Sequence, residues 1–278
     1  MTKYKYFTPS VDNAAKILIY LSRYKSKQST LTDISNNLNI NKSTCLRVLK
    51  TLELNNLIYY NEESKKYSLG IYISVLGHRV EENLNYLKVI KEYLDEASEK
   101  TGLTAALLQR VQHDRVMFVA QSQTQLDPKL TISVGNRFPL TEVSYGKWIL
   151  ASVLEEERDY YLKDGLKQVT VKTITDLPHY LKQLEEIKDT NILVSREEYT
   201  KDVIAISSAL YDWKGQVIAI IALVGVSKLV DKKQEKRLGE MLKEITYRCN
   251  QQLLKMGVEA TKFEFKIIDE DNESADIS

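Results

Sequence analysis

The hydrophobic period of the first seventy residues changes once, and that change limits the fold more than any other feature. Ahead of Asn55-Asn56 the apolar positions recur every three to four residues; after it they run continuously in short β-rich stretches. Ala14, Ile17, Leu18 and Leu21 share one helix face, with Ser10 as the expected N-cap. Thr30 or Thr32 can cap a shorter second helix carrying Ile34 and Leu38. Asn39-Ile40-Asn41 then breaks the chain, and Asn41 caps a third helix from Lys42 to about Leu54, with Leu46, Leu49 and Leu52 expected to face inward. Leu57–Tyr60 and Lys66–Leu69 read as two strands around the polar turn 61–65. Three helices and a hairpin, in that order, spell a winged helix-turn-helix.

Charge divides the chain at about the same place. Residues 1–80 hold 12 Lys and Arg against 5 Asp and Glu; the whole chain of 278 residues nets only +1. A basic head on a mildly acidic body is a nucleic-acid-binding pattern. In a helix-turn-helix the second helix enters the major groove N-terminus first. Lys42, Ser43, Thr44, Arg47 and Lys50 are therefore the candidate readers, Arg47 for a guanine edge and Lys42 for a phosphate at the helix start. Lys65 and Lys66 in the wing are candidate phosphate or minor-groove contacts.

Beyond Gly70, the expected organisation is a linker helix within 71–84, reaching about Arg79, and a further helix to Lys100 that stops at Gly102. Strands are expected at Thr104–Gln109, Val116–Gln121 and Lys129–Val134, then helices around Lys147–Leu150 and after Asp176-Leu177-Pro178. Val203–Tyr211 and Val217–Val224, split by Asp212-Trp213-Lys214-Gly215, read as a central, two-side-buried hairpin. A last helix, Asp231 to about Lys255, repeats Leu238, Leu242, Ile245, Cys249 and Leu253. Residues 259–278 carry seven acidic and two basic residues and are expected to be a disordered tail, able to compete with DNA for the basic head.

Other classes find little support. The longest apolar run is the ten residues Val217–Val226, half of what a membrane-spanning helix needs. No apolar stretch follows the charged start, so no signal peptide is expected, and two distant cysteines fit a cytoplasmic chain. His78, His113 and His179 have no metal-ligand spacing to each other or to cysteine, and no nucleophile motif, P-loop or dinucleotide fingerprint occurs. Glu197-Glu198, if in a strand, would point to opposite faces. No catalytic residue, metal or cofactor is expected.

Thr32-Asp33-Ile34 with Leu38–Thr44 and Arg47–Leu52, followed by Tyr67-Ser68-Leu69-Gly70, resembles the IclR-type bacterial transcription regulators. Gly135–Leu140, Gly146-Lys147 with Leu150-Ala151, and the Asp212–Gly215 hairpin extend the resemblance over roughly residues 8–258. It implies an α+β chain: an arm at 1–7, a winged head at 8–70, the linker at 71–84, and a GAF-like α/β effector-binding domain at 85–258. It also implies a double-stranded operator, a homodimer or dimer of dimers, and a small organic acid or aromatic effector. Carried over by position, the effector pocket comprises Leu130, Phe138, Ser144, Tyr145, Ala205, Ile221 and Leu223, with Ser195 or Arg196 at its rim. Acid-sensing members place polar side chains where this chain has Ala205, Ile221 and Leu223, so the expected ligand is apolar or aromatic, with Ser144, Tyr145 and Arg196 as polar handles. Two other readings stay open: a constitutive DNA-binding or protein-docking module with a self-filled second domain, and an enzyme or metabolite carrier bearing a DNA-binding head.

Overall fold

A computed structural model describes residues 7–83, 85–111, 114–123, 127, 130 and 132–259. The expected tail beyond Glu259, the arm before Phe7, and His113 lie outside these residues. The chain divides between Asn85 and Tyr86 into two compact units.

In the first unit, α1 spans Pro9–Leu21. Its N-cap is Thr8 rather than Ser10: Pro9 takes the first turn, where its missing N–H costs nothing. β1 is Ser29–Thr30, too short to leave a period in the sequence. Thr30 then caps α2, Leu31–Asn37, in a reciprocal box with Asp33. The turn to α3, Lys42–Leu54, is held by the Ser35 hydroxyl, which donates to the Ile40 carbonyl at 2.7 Å. β2, Ile58–Asn61, and β3, Lys66–Leu69, form the wing, and β1 pairs with β3, giving the order β1-β3-β2. Ile17, Leu21, Ile34, Cys45 and Leu49 are fully enclosed at the centre. Gly70 ends the wing under the Asn56 carbonyl, where a Cβ would stand 2.2 Å from that oxygen. α4, Tyr72–Asn83, follows and runs on past the expected end at Arg79.

The second unit is built on one six-stranded antiparallel sheet. Its strands are β4 (Thr104–Val111), β5 (Arg115–Ser122), β6 (Arg137–Pro139), β7 (Leu193–Arg196), β8 (Val203–Tyr211) and β9 (Val217–Val226), ordered β6-β5-β4-β9-β8-β7. The strand expected at Lys129–Val134 is not found among the described residues of that stretch. Residues 132–134 carry no ladder, and the edge pairing falls to Arg137–Pro139 instead. On one face lie α5, Asn85–Thr101, and α9, Lys232–Lys255, joined by Arg248 to Glu96 at 2.5 Å and Tyr93 to Gln252 at 3.0 Å. On the other lie α6, Gly146–Ser152, and α8, Leu177–Thr190, over the larger core cluster. α7, Glu155–Leu162, sits between them in sequence and went unread because its one buried side chain, Leu162, leaves no stripe.

Candidate nucleic-acid interface and effector site

The α3 helix begins with Asn41, whose Oδ1 accepts from the Ser43 backbone N–H at 2.9 Å and the Ser43 hydroxyl at 2.8 Å. Its buried face is Cys45, Val48, Leu49 and Leu52, an i, i+3, i+4, i+7 set. Leu46 is not part of it, contrary to expectation, and is 39% exposed. Residues 46, 49 and 52 advance by three each time, so they drift around the helix and cannot all face the same core. Lys42, Ser43, Thr44, Arg47 and Lys50 are all exposed. Two of them are already engaged within the protein. The Ser43 hydroxyl serves the cap, and Lys50 binds Glu53 at 2.8 Å with its ammonium 5.2 Å from the centre of the Tyr60 ring. The Glu53 bond raises the Lys50 pKa.

The wing turn is shaped by Asn61, which accepts from the Ser64 N–H at 2.8 Å and its hydroxyl at 2.9 Å. Lys65 takes a left-handed backbone (φ 56°), and Lys66 opens β3 opposite Asn61. Both lysines are exposed. Tyr60 and Tyr67 pack across the strands with ring centres 4.6 Å apart, so Lys50 links α3 to the wing through this pair.

In the second unit, strand register sorts the expected pocket residues into two sets. Ala205 pairs with Val224, Ser207 with Ala222 and Ala209 with Ile220, and directly paired residues share a face. Ala205, Ala209, Ile220, Ala222 and Val224 all belong to the core beneath α6 and α8. Ser195 lies opposite Ala205 on that face and is buried. Leu130, Phe138 and Tyr145 pack there too, with the buried Ser144 beside Tyr145.

Ile221 and Leu223 point the other way, which corrects their assignment. Leu223 pairs with Ile206, and Ile221 with Ser208, whose hydroxyl bonds Thr246 of α9 at 2.8 Å. Strand side chains alternate, so 221 and 223 share a face with each other but not with 205 across this register. Arg196 is corrected for the same reason. It pairs with Ile204, and its guanidinium donates to the carbonyls of Ser227 and Val230 and to Glu235 of α9 at 2.6, 2.7 and 2.9 Å. It fastens the start of α9.

The remaining set is strongly aromatic. Tyr145 meets Phe118 edge-on, Phe118 meets Phe138, and Phe138 meets Tyr199, with ring centres 5.4–5.8 Å apart. Phe118 was legible from the alternation of Val116 and Phe118 in β5; Tyr199 lies outside any strand and carried no periodic signal. Burial pushes the Tyr145 phenol well above its ordinary value. Close by in sequence is a charge pair that spacing could not reveal. Lys147, 2% exposed, donates to Glu198 at 2.7 Å and to Gln183 at 2.8 Å. Burial pulls the Lys147 pKa down, and Glu198 opposes that pull. Glu197 and Glu198 follow β7 rather than sitting in it. Glu197 (φ 63°) turns to Ser227 and Lys172, at 2.6 and 3.2 Å, away from Lys147. Trp148 donates its indole N–H to the Ser207 hydroxyl at 2.9 Å, so this serine too is occupied.

Cys45 and Cys249 are both free and fully buried. Among the described residues no three His, Cys, Asp or Glu side chains gather as a metal site requires, and no helix is long and apolar enough to cross a membrane. Residues 10–62 match the IclR helix-turn-helix domain, and residues 78–249 match the C-terminal domain of the bacterial transcriptional regulator IclR. The chain belongs to the IclR family of bacterial transcriptional regulators. Similar proteins include the HTH-type transcriptional repressor AllR of Escherichia coli K12, 28% identical over 236 residues, which cover 84% of this chain and 86% of AllR. An IclR transcriptional regulator from Alicyclobacillus acidocaldarius superposes with a TM-score of 0.83 at 32% identity, over 88% of this chain and 99% of that one. An IclR homolog from Microbacterium hydrocarbonoxydans, solved in complex with 4-hydroxybenzoate, shares the fold at a TM-score of 0.75 and 19% identity, over 88% and 98% of the two chains. The expected architecture of this IclR-family regulator, a helix-turn-helix head and an α/β second domain, is thus the one found.

Proposed function

We propose that this regulator acts as a ligand-controlled repressor, reading a two-fold-related operator with α3 and the wing of each of two copies. The observation that carries the reading is the outward face of α3. Its core is complete with Cys45, Val48, Leu49 and Leu52, which leaves Arg47 and Thr44 directed to a groove, with Lys42 at the helix start and Lys65 and Lys66 on the wing for phosphates. In this assignment Lys50 positions the wing instead of reading a base. Repression follows the likeness to AllR.

Two-fold pairing is supported by α4. Tyr72, Val75, Leu76 and Val80 form an apolar stripe at helical spacing, each between 45% and 52% exposed. Such a stripe fits a second copy of itself, and symmetric half-sites would match a symmetric dimer. The effector site we place among Leu130, Phe118, Phe138, Ser144, Tyr145, Ser195, Tyr199 and Ala205. Among the described residues, Arg196 is fastened to α9 and Lys147 is paired to Glu198, so neither is offered to a ligand, which favours an uncharged aromatic or apolar one. The ligand controls DNA binding only if it binds two states of the protein unequally. A DNA-reading role fits a cytoplasmic protein, and the regulator family supports a non-catalytic chain. A second reading, a self-filled domain with no ligand, is favoured by the edge-to-face packing of the four aromatic rings on one another.

Selection of genomic fragments by the purified protein near physiological salt tests the first reading. Enrichment of one or a few sites with two-fold-related halves is the expected result; uniform, salt-labile recovery would contradict sequence reading. Thermal-shift screening against neutral aromatics separates the effector from the self-filled domain, since a ligand that binds the native state raises the midpoint.

A further inference from the structure

Leu46 is an apolar side chain set on the face of a helix that presents polar groups to a groove. We propose that Leu46 reads the 5-methyl group of a thymine, at the base step beside the one contacted by Arg47; this rests on the DNA-reading function proposed above. A solitary exposed leucine is ordinary on a protein surface. Three observations set this one apart. It makes no part of the core: the buried face of α3 closes without it, and it is absent from the partly buried side chains packed around that core. It immediately precedes Arg47, in the second turn of the helix that enters the groove. Two of its polar neighbours on the outward face are taken, Ser43 by Asn41 and Lys50 by Glu53 and Tyr60.

The chemistry of the groove then selects the partner. A leucine can neither donate to nor accept from a base edge, and placing it against one would strip water from a polar atom without return. Thymine alone presents an apolar group there, its C5-methyl. Successive residues on α3 project about 100° apart, so Leu46 and Arg47 reach different base pairs while sharing one turn. The half-site is expected to hold a guanine for Arg47 and a thymine close to it.

The test uses the operator selected above, with each thymine of one half-site replaced in turn by deoxyuridine, which removes only the methyl. Wild-type protein is expected to lose about fourfold in affinity at one or two positions, the effect of one buried carbon. Leu46→Ala is expected to lose a similar factor on the unmodified site and to be indifferent to deoxyuridine at those same positions. An unchanged melting temperature and unchanged affinity for non-specific DNA would show that the exposed substitution leaves the head folded. If wild type is indifferent to deoxyuridine at every position, the methyl contact is refuted while the operator reading stands. If Leu46→Ala keeps the wild-type sensitivity, another residue reads the methyl and the assignment fails. If no site is enriched at all, both the inference and the reading beneath it fall.

Discussion

Arg47 and Lys50 stand three residues apart on one helix and have opposite fates. Arg47 has no side-chain partner among the described residues, whereas Lys50 is drawn back onto Glu53 and Tyr60. Arg47→Ala is therefore expected to cost about 1–3 kcal/mol in specific binding and to relax the choice of base at its position. A titration against matched and mismatched operators checks this; unchanged selectivity would remove Arg47 from base reading. Lys65→Ala should weaken binding to every sequence and reduce the salt slope by about one ion. In the second unit the charge pair behaves differently from such surface groups. Lys147→Met leaves Glu198 buried without its cation, and denaturant melts should show a loss of about 3–5 kcal/mol. Removing both charges with similar-sized apolar side chains should restore most of that, because neither ion then has to be stripped of water.

At the level of elements, two contacts depend on single atoms of the backbone or side chain. Gly146 opens α6 so close to the Leu140 carbonyl that a Cβ would stand 1.8 Å from its oxygen. Gly146→Ala must push α6 off the sheet or displace residue 140. A loss of about 1–3 kcal/mol is expected in thermal or denaturant melts. The pairing of α5 with α9 carries a pH signature. The Arg248 guanidinium, bonded to Glu96, holds the Glu96 carboxyl below its ordinary 4.5, and Lys100 adds to this. A carboxylate held low in the folded state contributes stability above its unfolded value and loses it as pH falls through the folded one. Stability should thus decline below about pH 4.5, and Glu96→Gln should flatten that decline. Because Arg248 is 39% exposed, solvent screens the pair, and the change should stay within about 1 kcal/mol.

For the molecule as a whole, association is the property most open to test. Leu76→Glu in the exposed stripe of α4 should lower the oligomeric state in sedimentation and cut operator affinity, while leaving the melting of each unit unchanged. A variant that sediments as wild type would move the pairing surface elsewhere. The helix-turn-helix was legible in the chain because its helices are amphipathic and its caps, Thr30 and Asn41, use short side chains with a known local geometry. The β8–β9 hairpin was legible from β-branched runs on either side of a turn. What escaped has a common cause. β1, β6 and α7 are too short or too exposed to imprint a period. Leu46 was misjudged because spacing by threes imitates a helix face, and Ile221 and Leu223 because one strand's alternation does not say which face its neighbour's residues share. Local hydrogen bonding and hydrophobic period are written into consecutive residues, and so the element order and the reading helix follow from them. Register, the turning of Arg196 onto α9, and the meeting of Lys147 with Glu198 across 51 positions arise only when distant segments pack, since each depends on a partner that no local pattern contains.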